Sequence, residues 1–212
     1  MKKINLTKNS YPGKLIVFEG CDGAGKTTLL NLTYSYLSNK YPDKEFLILK
    51  QPTDTIRNNP LFQKMMYEKD NNNISYRAIQ LLTLSDRLQQ NHEIIIPALK
   101  QGKIVICDRY IYTSIANMKA RGYKNEAWFY DASKEIIEPD ICFLAFVETQ
   151  TAINRIKQRE EEKDRYLNEK LLHDVINQFL LLAVLCGFKM IDSSTDSEIA
   201  FKYVKKQLDK YV

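Results

Sequence analysis

The stretch that most constrains this chain runs from Gly20 to Thr27. It reads Gly-Cys-Asp-Gly-Ala-Gly-Lys-Thr and fits the pattern G-x-x-x-x-G-K-[ST] at every fixed position. An apolar run from Leu15 to Phe18 precedes it and predicts a buried strand, and residues 27–37 behind it predict a helix. Glycines in such a turn let successive backbone N–H groups point at phosphate oxygens, and the helix start adds its positive dipole end. The stretch therefore predicts a phosphate-binding loop, which we call the P-loop.

The side chains of the P-loop suggest two roles. Lys26 offers a mobile positive charge to the β- and γ-phosphates of a nucleotide, and the Thr27 hydroxyl is a candidate ligand for Mg²⁺. The other positions would contribute backbone N–H groups or short side chains. The predicted donor-nucleotide contacts in this region are Gly20, Asp22, Gly23, Ala24, Gly25, Lys26, Thr27 and Thr28.

Short apolar segments alternate with helix-like segments along the chain. The predicted strands are residues 14–19, 45–50, 103–107, 141–147 and 189–191. The predicted helices are residues 27–39, 61–68, 76–101, 111–122, 126–137, 151–163, 168–186 and 197–211, with a loop at 51–60. Such alternation favours a parallel sheet that is covered on both faces. We therefore predict an α/β protein, a three-layer α/β/α sandwich around a five-stranded parallel sheet.

The composition is that of an ordinary globular protein. Of 212 residues, 44% are hydrophobic and 27% are charged, so residues 1–212 are expected to form one domain with a polar leader at 1–13, loose at its start and unlike a signal peptide. The net charge of +5 is spread along the chain, which suits a polyanionic small molecule better than a nucleic acid. No apolar run is long enough to span a bilayer. Four separated cysteines without a C-x-x-C pattern favour buried thiols in a reducing cytoplasm.

Asp108, Arg109 and Tyr110 directly follow the third predicted strand. Ligands of doubly wound folds bind beyond the carboxyl ends of the strands, so this tripeptide is expected beside the P-loop. P-loop enzymes need a carboxylate for Mg²⁺ at such a place, and an adjacent arginine suits phosphate recognition. We therefore predict Asp108 as a metal ligand. The same rule gathers Gln51–Asp54, Glu148 and Asp192–Thr195 at this edge.

The segment at residues 151–166 is unusually rich in charge, with five basic and four acidic residues. Charge alone favours an exposed helix laced with salt bridges. The other interpretation is a mobile lid that supplies cations to a transferring phosphoryl group. Positions 21–24 of the P-loop carry no basic residue, and phosphoryl transfer needs positive charge beyond Lys26 and Mg²⁺. We therefore predict that this segment is a lid.

Together these motifs resemble thymidylate kinases, the nucleoside monophosphate kinases that phosphorylate dTMP with ATP. The resemblance covers nearly all of the chain from Lys14 onward. A P-loop alone is shared by many NTPases, whereas this combination at these separations is far more specific. The matching segments are Phe18–Thr28, Gln51–Asp54, Asp86–Arg87, Pro97–Leu99, Asp108–Tyr110 with Ser114, and the lid.

The resemblance implies roles for individual residues on the acceptor side. Asp22 would contact the deoxyribose 3′-OH of the acceptor or a water near Mg²⁺. Arg87 would face the acceptor base, and Arg109 would clamp the acceptor phosphate. The remaining implied acceptor contacts are Pro52, Thr83, Ser114 and Asn117.

The resemblance also implies how the donor nucleotide binds. Arg155 would stack on adenine, which the segment from Asp192 to Thr195 would border. Gly23 places the chain with those family members whose catalytic cation comes from the lid, so Arg159 or Arg165 would supply it. ATP is the implied phosphoryl donor, Mg²⁺ the implied cofactor, and a helix-mediated homodimer the implied assembly.

Three positions of the acceptor pocket depart from the family pattern. Thr83 stands where the family usually has a phenylalanine stacked on thymine, Asn117 where it has a tyrosine, and Gln51-Pro52 where it has Arg-Glu-Pro or Phe-Pro. A base–aromatic stack contributes about 1–3 kcal/mol. The departures leave open a kinase with another nucleotide or nucleoside acceptor. A nucleotide-binding switch without transfer is a second alternative, which the basic residues of the lid disfavour.

Overall fold

The computed structural model describes residues 4–68, 73–162 and 167–211. Within these ranges five parallel strands form one sheet in the order β2-β3-β1-β4-β5. The strands are β1 (Lys14–Glu19), β2 (Phe46–Lys50), β3 (Ile104–Asp108), β4 (Ile141–Phe146) and β5 (Lys189–Asp192). The predicted sheet is confirmed, and the predicted strand ends agree with the observed ones to within one residue.

Helices cover both faces of the sheet. In the described ranges they are α1 (Lys26–Lys40), α2 (Asp54–Arg57), α3 (Pro60–Tyr67), α4 (Tyr76–Gln90), α5 (Ile96–Lys100), α6 (Ile111–Ala120), α7 (Ala127–Ala132), α8 (Thr149–Lys157), α9 (Glu169–Cys186) and α10 (Ser197–Leu208). One hydrophobic core lies between the sheet and α1 with α10, and the other lies between the sheet and α4, α5, α6 and α9. None of these helices is both long and apolar enough to cross a membrane.

Strand β1 lies at the centre of the sheet and positions the P-loop. Leu15 and Val17 enter one core, Ile16 and Phe18 enter the other, and all of them are fully buried. A strand buried on both faces reads as a continuous apolar run, which is how the sequence predicted it. In the pairing of β1 with β3, Phe18 lies beside Asp108. The P-loop therefore begins next to the end of β3.

The long helix predicted at residues 76–101 is two helices separated by a wide π turn at Asn91–Ile95. Pro97 explains the interruption, because it has no N–H to donate to the carbonyl of Glu93 in a regular helix. In the wide turn the N–H of Ile96 donates to the carbonyl oxygen of Asn91, one residue further back than in an α-helix.

The helix predicted at residues 126–137 is cut short by the amino-terminal leader. α7 ends at Ala132, a 3₁₀ turn follows, and Ile136 is extended. The N–H of Thr7 donates to the carbonyl oxygen of Ile136 at 2.9 Å, and its carbonyl accepts from the N–H of Glu138 at 2.7 Å. Ile4 is also buried. The described part of the leader is therefore attached to the rest of the chain at Ile4 and Thr7, whereas residues 1–3, expected to be loose, lie outside the described ranges.

The helix predicted at residues 151–163 is also shorter than expected. α8 ends at Lys157, and a 3₁₀ turn at Glu160–Glu162 follows. α8 buries Ala152, Ile153 and Ile156, but no apolar residue follows Ile156 before the described range ends at 162. Helices in proteins are stabilised mostly by packing an apolar face, so nothing here favours a longer helix.

Candidate active site

The P-loop connects β1 to α1 along a path that its glycines allow. Gly20 and Gly23 have φ values of 139° and 78°, which residues with a Cβ atom rarely adopt. A Cβ atom at Gly20 would lie 2.3 Å from the carbonyl oxygen of Ala145, and one at Gly23 would lie 2.4 Å from the carbonyl oxygen of Ala152. The P-loop is therefore wedged between β4 and α8.

Lys26 opens α1 and is buried. Its Nζ donates to the carbonyl oxygen of Cys21 at 2.7 Å, so the side chain spans the P-loop from inside. Burial, followed by repulsion from Arg109, lowers the pKa of Lys26, while Asp108 and Asp22 oppose the change. A phosphate in the loop would meet a partly desolvated ammonium group, and low local polarity strengthens that attraction.

Thr27 and Asp108 meet where the sequence predicts the metal site. The Thr27 hydroxyl lies 3.3 Å from Oδ2 of Asp108, and Asp108 Oδ1 is buried without a hydrogen-bond partner among the described residues. A buried oxygen without a partner is unfavourable, and a hydrated cation would satisfy it. The described ranges hold no group of three or more His, Cys, Asp or Glu side chains that could bind a metal ion. The pair therefore fits Mg²⁺, which proteins usually hold with one or two carboxylates and substrate phosphates.

Arg109 leaves β3 with a φ of 69°, in the left-handed region. Its N–H donates to the carbonyl oxygen of Phe18 at 2.8 Å. Its guanidinium turns to the P-loop, where Nη1 donates to the carbonyl oxygen of Gly20 at 3.0 Å and Nη2 pairs with Asp22. Burial alone would lower the pKa of Arg109, but Asp22 and Asp108 outweigh burial and raise it. The structure thus brings Arg109, the arginine predicted to bind the acceptor phosphate, to the P-loop.

Arg57 is not among the predicted site residues, yet it lies in the same charged region. It ends α2, a single helical turn within the loop predicted at 51–60. Its Nε donates to the carbonyl oxygen of Pro52 at 2.9 Å and its Nη2 to that of Gln51 at 3.2 Å. Burial and Arg109 lower the pKa of Arg57, and Asp22 opposes them. A lone arginine in a polar loop looks like a surface residue, so no sequence pattern predicts its place in the site.

The Asp86-Arg87 motif divides into two separate contacts. Asp86 accepts from the N–H of Thr53 at 2.9 Å and from the Thr53 hydroxyl, which fixes the loop after β2 beside α4. Pro52 in that loop is buried. Asp86 therefore holds this loop against α4, and Arg87 takes no part in these hydrogen bonds.

Arg87 and Thr83 lie on the buried face of α4, at 1% and 3% exposed. Nη1 of Arg87 donates to the carbonyl oxygen of Thr83 at 3.1 Å, and its Nε is buried without a partner among the described residues. Burial lowers the pKa of Arg87, while Glu19 and Asp86 oppose the change. The unpartnered N–H leaves Arg87 able to donate one more hydrogen bond.

α6 carries the last two predicted acceptor contacts. Ser114 is buried in its first half. Nδ2 of Asn117 donates to the carbonyl oxygen of Thr113 at 2.9 Å, and its Oδ1 accepts from Nη1 of Arg121 at 2.8 Å. These hydrogen bonds are local to α6 and do not join Asn117 to the predicted acceptor arginines.

A cavity of about 440 Å³ opens between the P-loop, α8 and the segment after β5. Its volume is within the range of about 300–1,000 Å³ typical of small-molecule sites. Arg155 and Arg159 line it, as does Thr28. Nη1 of Arg155 also donates to the carbonyl oxygen of Gly23 at 3.4 Å. Arg165, the other candidate catalytic cation, lies outside the described residues.

The segment after β5 ties this cavity to the P-loop. Ser193 donates from Oγ to the carbonyl oxygen of Ala24 at 2.6 Å, and Ser193 and Thr195 both line the cavity. Asp192 does not line it. Its carboxylate accepts from the hydroxyl and the N–H of Ser194, at 2.6 and 2.9 Å, and these hydrogen bonds lower the pKa of Asp192.

Sequence comparisons with known proteins identify the family of the chain. Residues 18–204 match the family described as Thymidylate kinase. The chain belongs to the thymidylate kinase family. It is 36% identical to a probable thymidylate kinase of Pyrococcus horikoshii over 171 residues, which are 77% of this chain and 82% of the relative. Over 202 residues, 93% of this chain and 98% of the relative, it is 33% identical to the thymidylate kinase of Thermosipho africanus.

Membership of the thymidylate kinase family confirms the resemblance drawn from the motifs and makes this chain a nucleoside monophosphate kinase. A probable thymidylate kinase of Thermococcus kodakarensis is 35% identical over 189 residues, 86% of this chain and 91% of the relative. These matches do not favour a nucleotide-binding switch. They also do not favour a kinase with a different acceptor.

Proposed function

We propose that this member of the thymidylate kinase family transfers the γ-phosphoryl group of ATP to dTMP and releases ADP and dTDP. The observation that carries the proposal is the pairing of Arg109 with Asp22. In this contact the guanidinium of Arg109, which follows β3, lies beside the P-loop. Direct transfer requires the attacking oxygen of the acceptor phosphate to lie about 3–3.5 Å from the γ-phosphorus, and this position of Arg109 suits that requirement.

ATP would bind with its phosphates in the P-loop and its adenine in the cavity beside α8. Backbone N–H groups of the loop and the ammonium group of Lys26 would contact the β- and γ-phosphates. Arg155, in the cavity wall, would stack on adenine. Ser193 and Thr195 would border the ring, and Asp192 would shape their turn.

dTMP would bind between the P-loop and the helices α4 and α6. Arg109 would clamp its phosphate, and Arg57 adds a second cation in the same region. Arg87 would face the base, with its buried Nε able to donate. Asp22, whose side chain is 34% exposed, would contact the sugar 3′-OH. Further contacts on this side would come from Pro52, Thr83, Ser114 and Asn117.

The reaction would be an in-line displacement without a covalent enzyme intermediate. An oxygen of the dTMP phosphate attacks the γ-phosphorus, the bond to the β–γ bridging oxygen breaks, and ADP leaves. Lys26, Arg109 and a lid arginine would surround the phosphates and stabilise the charge that develops. When bound through Thr27 and, by way of water, Asp108, Mg²⁺ supplies further neutralisation of the β- and γ-oxygens.

Gly23 favours a catalytic cation from the lid. Because α8 lies so close, any side chain at this position would meet the carbonyl oxygen of Ala152. The P-loop therefore has no room for an arginine there. Arg159 lines the cavity on the lid side. We assign the lid to residues 151–166, with Arg159 or Arg165 as the catalytic cation.

The acceptor is tested by an ADP-release assay over a panel of nucleosides and nucleoside monophosphates, with ATP and Mg²⁺ saturating. We expect dTMP to give the highest kcat/KM. The Lys26→Ala variant sets the background, because it lacks the charge that binds the transferring phosphate. A higher kcat/KM for another acceptor would contradict the assignment of dTMP, and acceptor-independent ADP release would contradict the transferase itself.

The proposal includes a homodimer in the cytoplasm, without nucleic acid or membrane as a partner. The resemblance to the family suggests the homodimer. All four cysteines lie in described segments and no disulfide joins them, which favours a reducing compartment. Light scattering at micromolar protein tests the assembly, since a mass near 24.8 kDa would indicate a monomer and exclude the dimer.

A further inference from the structure

We propose that Glu19 is a positioning residue that fixes Arg109 for the acceptor phosphate. Glu19 ends β1, immediately precedes the P-loop, and is 0% exposed. No role in binding or transfer has been assigned to it above. The inference rests on the proposed phosphorylation of dTMP and explains how its acceptor arginine is held.

Both oxygens of the Glu19 carboxylate bind the segment that follows Arg109. Oε1 accepts from the N–H of Tyr110 at 2.9 Å and from the N–H of Thr113 at 3.0 Å, and Oε2 accepts from the Thr113 hydroxyl at 2.6 Å. Tyr110 directly precedes α6 and Thr113 lies in its first turn. The carboxylate therefore satisfies the N–H of Tyr110 and shares the N–H of Thr113 with the carbonyl oxygen of Tyr110, 3.2 Å away, and its charge lies at the positive end of the helix dipole.

The backbone of Arg109 is unfavourable for a residue with a Cβ atom, because its φ is positive. Such a conformation persists only where its surroundings fix it. Two successive residues of β1 do so here, since Phe18 accepts from the N–H of Arg109 and Glu19 accepts from the N–H of Tyr110. Without the carboxylate, one of these two attachments is lost. The guanidinium would then be free to move away from Gly20.

The charge of Glu19 also faces the arginines that the acceptor requires. Burial raises the pKa of Glu19, and the Thr113 hydroxyl, Arg109 and Arg87 oppose that rise. A buried carboxylate is tolerated only with such partners. Glutamine at this position keeps the shape of the side chain but removes the charge and one acceptor oxygen.

The first experiment compares the Glu19→Gln variant with the wild-type enzyme in steady-state kinetics. We expect kcat/KM for dTMP to fall about 100-fold, because a misplacement of about 1 Å costs roughly that much, while KM for ATP stays near the wild-type value. A large rise in KM for ATP, or a loss of thermal stability without a fall in kcat/KM for dTMP, would make Glu19 a structural cap and overturn the inference.

Asp140→Asn is the matched control, because Asp140 holds the opposite end of β1. Its carboxylate accepts from the N–H of Leu15 at 2.8 Å and from Nδ2 of Asn9 at 2.7 Å. We expect this variant to lose thermal stability without a change in kcat/KM for dTMP. A loss of kcat/KM as large as that of Glu19→Gln would mean that destabilisation of β1 explains both, against the inference.

Two conservative variants decide the matter if Glu19→Gln does not fold. Thr113→Val removes only the hydroxyl that donates to Glu19, and Thr113→Ser restores it. We expect the valine variant to lower kcat/KM for dTMP and the serine variant to recover it. Equal kinetics for the two variants would overturn the inference.

A double-mutant cycle separates positioning from other effects. If Glu19 acts through Arg109, the Glu19→Gln change should add little in an Arg109→Ala background, since effects of coupled residues are not additive. Fully additive losses would overturn the inference. A wild-type enzyme that turns over no dTMP would overturn the proposed function and this inference together, whereas dTMP turnover that Glu19→Gln leaves unchanged would overturn this inference alone.

Discussion

The guanidinium of Arg109 pairs with the carboxylate of Asp22, 87 positions earlier in the chain, and donates to the carbonyl oxygen of Gly20 at 3.0 Å. These contacts join the end of β3 to the P-loop across the working edge of the sheet. An acceptor phosphate that binds Arg109 would share this guanidinium with Asp22. Under the proposed role of Arg109, acceptor binding and the shape of the P-loop would therefore be linked through one side chain.

Arg109→Ala should lower kcat/KM for dTMP by about 10³-fold, the low end for an arginine that stabilises a transferring phosphoryl group. Initial rates at saturating ATP measure this. Arg77→Ala is the control, because Arg77 also pairs with a carboxylate, that of Glu126, but has a side chain that is 60% exposed. It should leave kcat/KM unchanged. A loss below about tenfold for Arg109→Ala would refute its role at the phosphate.

Gly23→Ala should destabilise the fold more than Gly122→Ala. Both glycines have positive φ values, 78° and 82°, so both substitutions carry a backbone penalty of about 1–2 kcal/mol. Only at Gly23 would the new Cβ atom meet a backbone oxygen, that of Ala152, whereas nothing lies within 4 Å at Gly122. Urea unfolding measures the difference, which should exceed about 1 kcal/mol. Equal losses would mean that α8 does not press on the P-loop.

Asp108→Asn should raise the Mg²⁺ concentration needed for half-maximal activity by about 10–100-fold, as loss of an outer partner of a metal commonly does. The buried Oδ1 of Asp108, which has no hydrogen-bond partner within the described ranges, motivates this expectation. A Mg²⁺ titration at saturating ATP and dTMP measures it, with the exposed Asp131→Asn on α7 as control. An unchanged Mg²⁺ requirement for Asp108→Asn would remove this residue from the metal site.

Stability should depend on pH through Lys26. Because burial lowers its pKa from the ordinary 10.5, the unfolded chain binds more protons than the folded one between the two values. The free energy of unfolding of the wild type should therefore rise with pH relative to that of Lys26→Met, as the pH approaches about 10. Urea unfolding at several pH values measures this difference.

Lys40→Met provides the control for that pH series. Lys40 is exposed at the end of α1, and its hydrogen bond to Asp209 raises its pKa. Its contribution to stability is lost rather than gained as the pH rises, so no relative gain of the wild type is expected over the same range. If the free energy of unfolding of the wild type rose with pH relative to Lys40→Met as much as relative to Lys26→Met, the effect would belong to the titration of lysines in general.

The strands and the P-loop were predictable because their signals are local. β1 is a continuous apolar run, the P-loop matches a fixed pattern, and Asp108 directly follows an apolar strand. Parallel strands then bring these segments to one edge without further information. One helix boundary was wrong because a distant segment intervenes, as Thr7 does at Ile136, whereas the other two were wrong because of Pro97 and the polar residues after Ile156.

The site residues that the sequence analysis did not predict are held by contacts between distant segments, which no local sequence pattern indicates. In the sequence Glu19 is only the polar end of a strand, and its role depends on the hydrogen bonds that it accepts from Tyr110 and Thr113 in the structure. In the sequence Arg57 resembles a surface residue, whereas in the structure it donates to the carbonyl oxygen of Pro52 in the loop before it. Asn117 shows the reverse case, since family position suggested an acceptor contact and its described hydrogen bonds are local.

The closeness of Gly23 to Ala152 has an evolutionary consequence. The resemblance to the thymidylate kinase family implies that the catalytic cation comes from the P-loop in some members and from the lid in others. In this chain an arginine cannot be accepted at position 23 while α8 keeps its place. An arginine at position 23 would need α8 to shift before or together with the substitution, so this single change is blocked while the helix keeps its place.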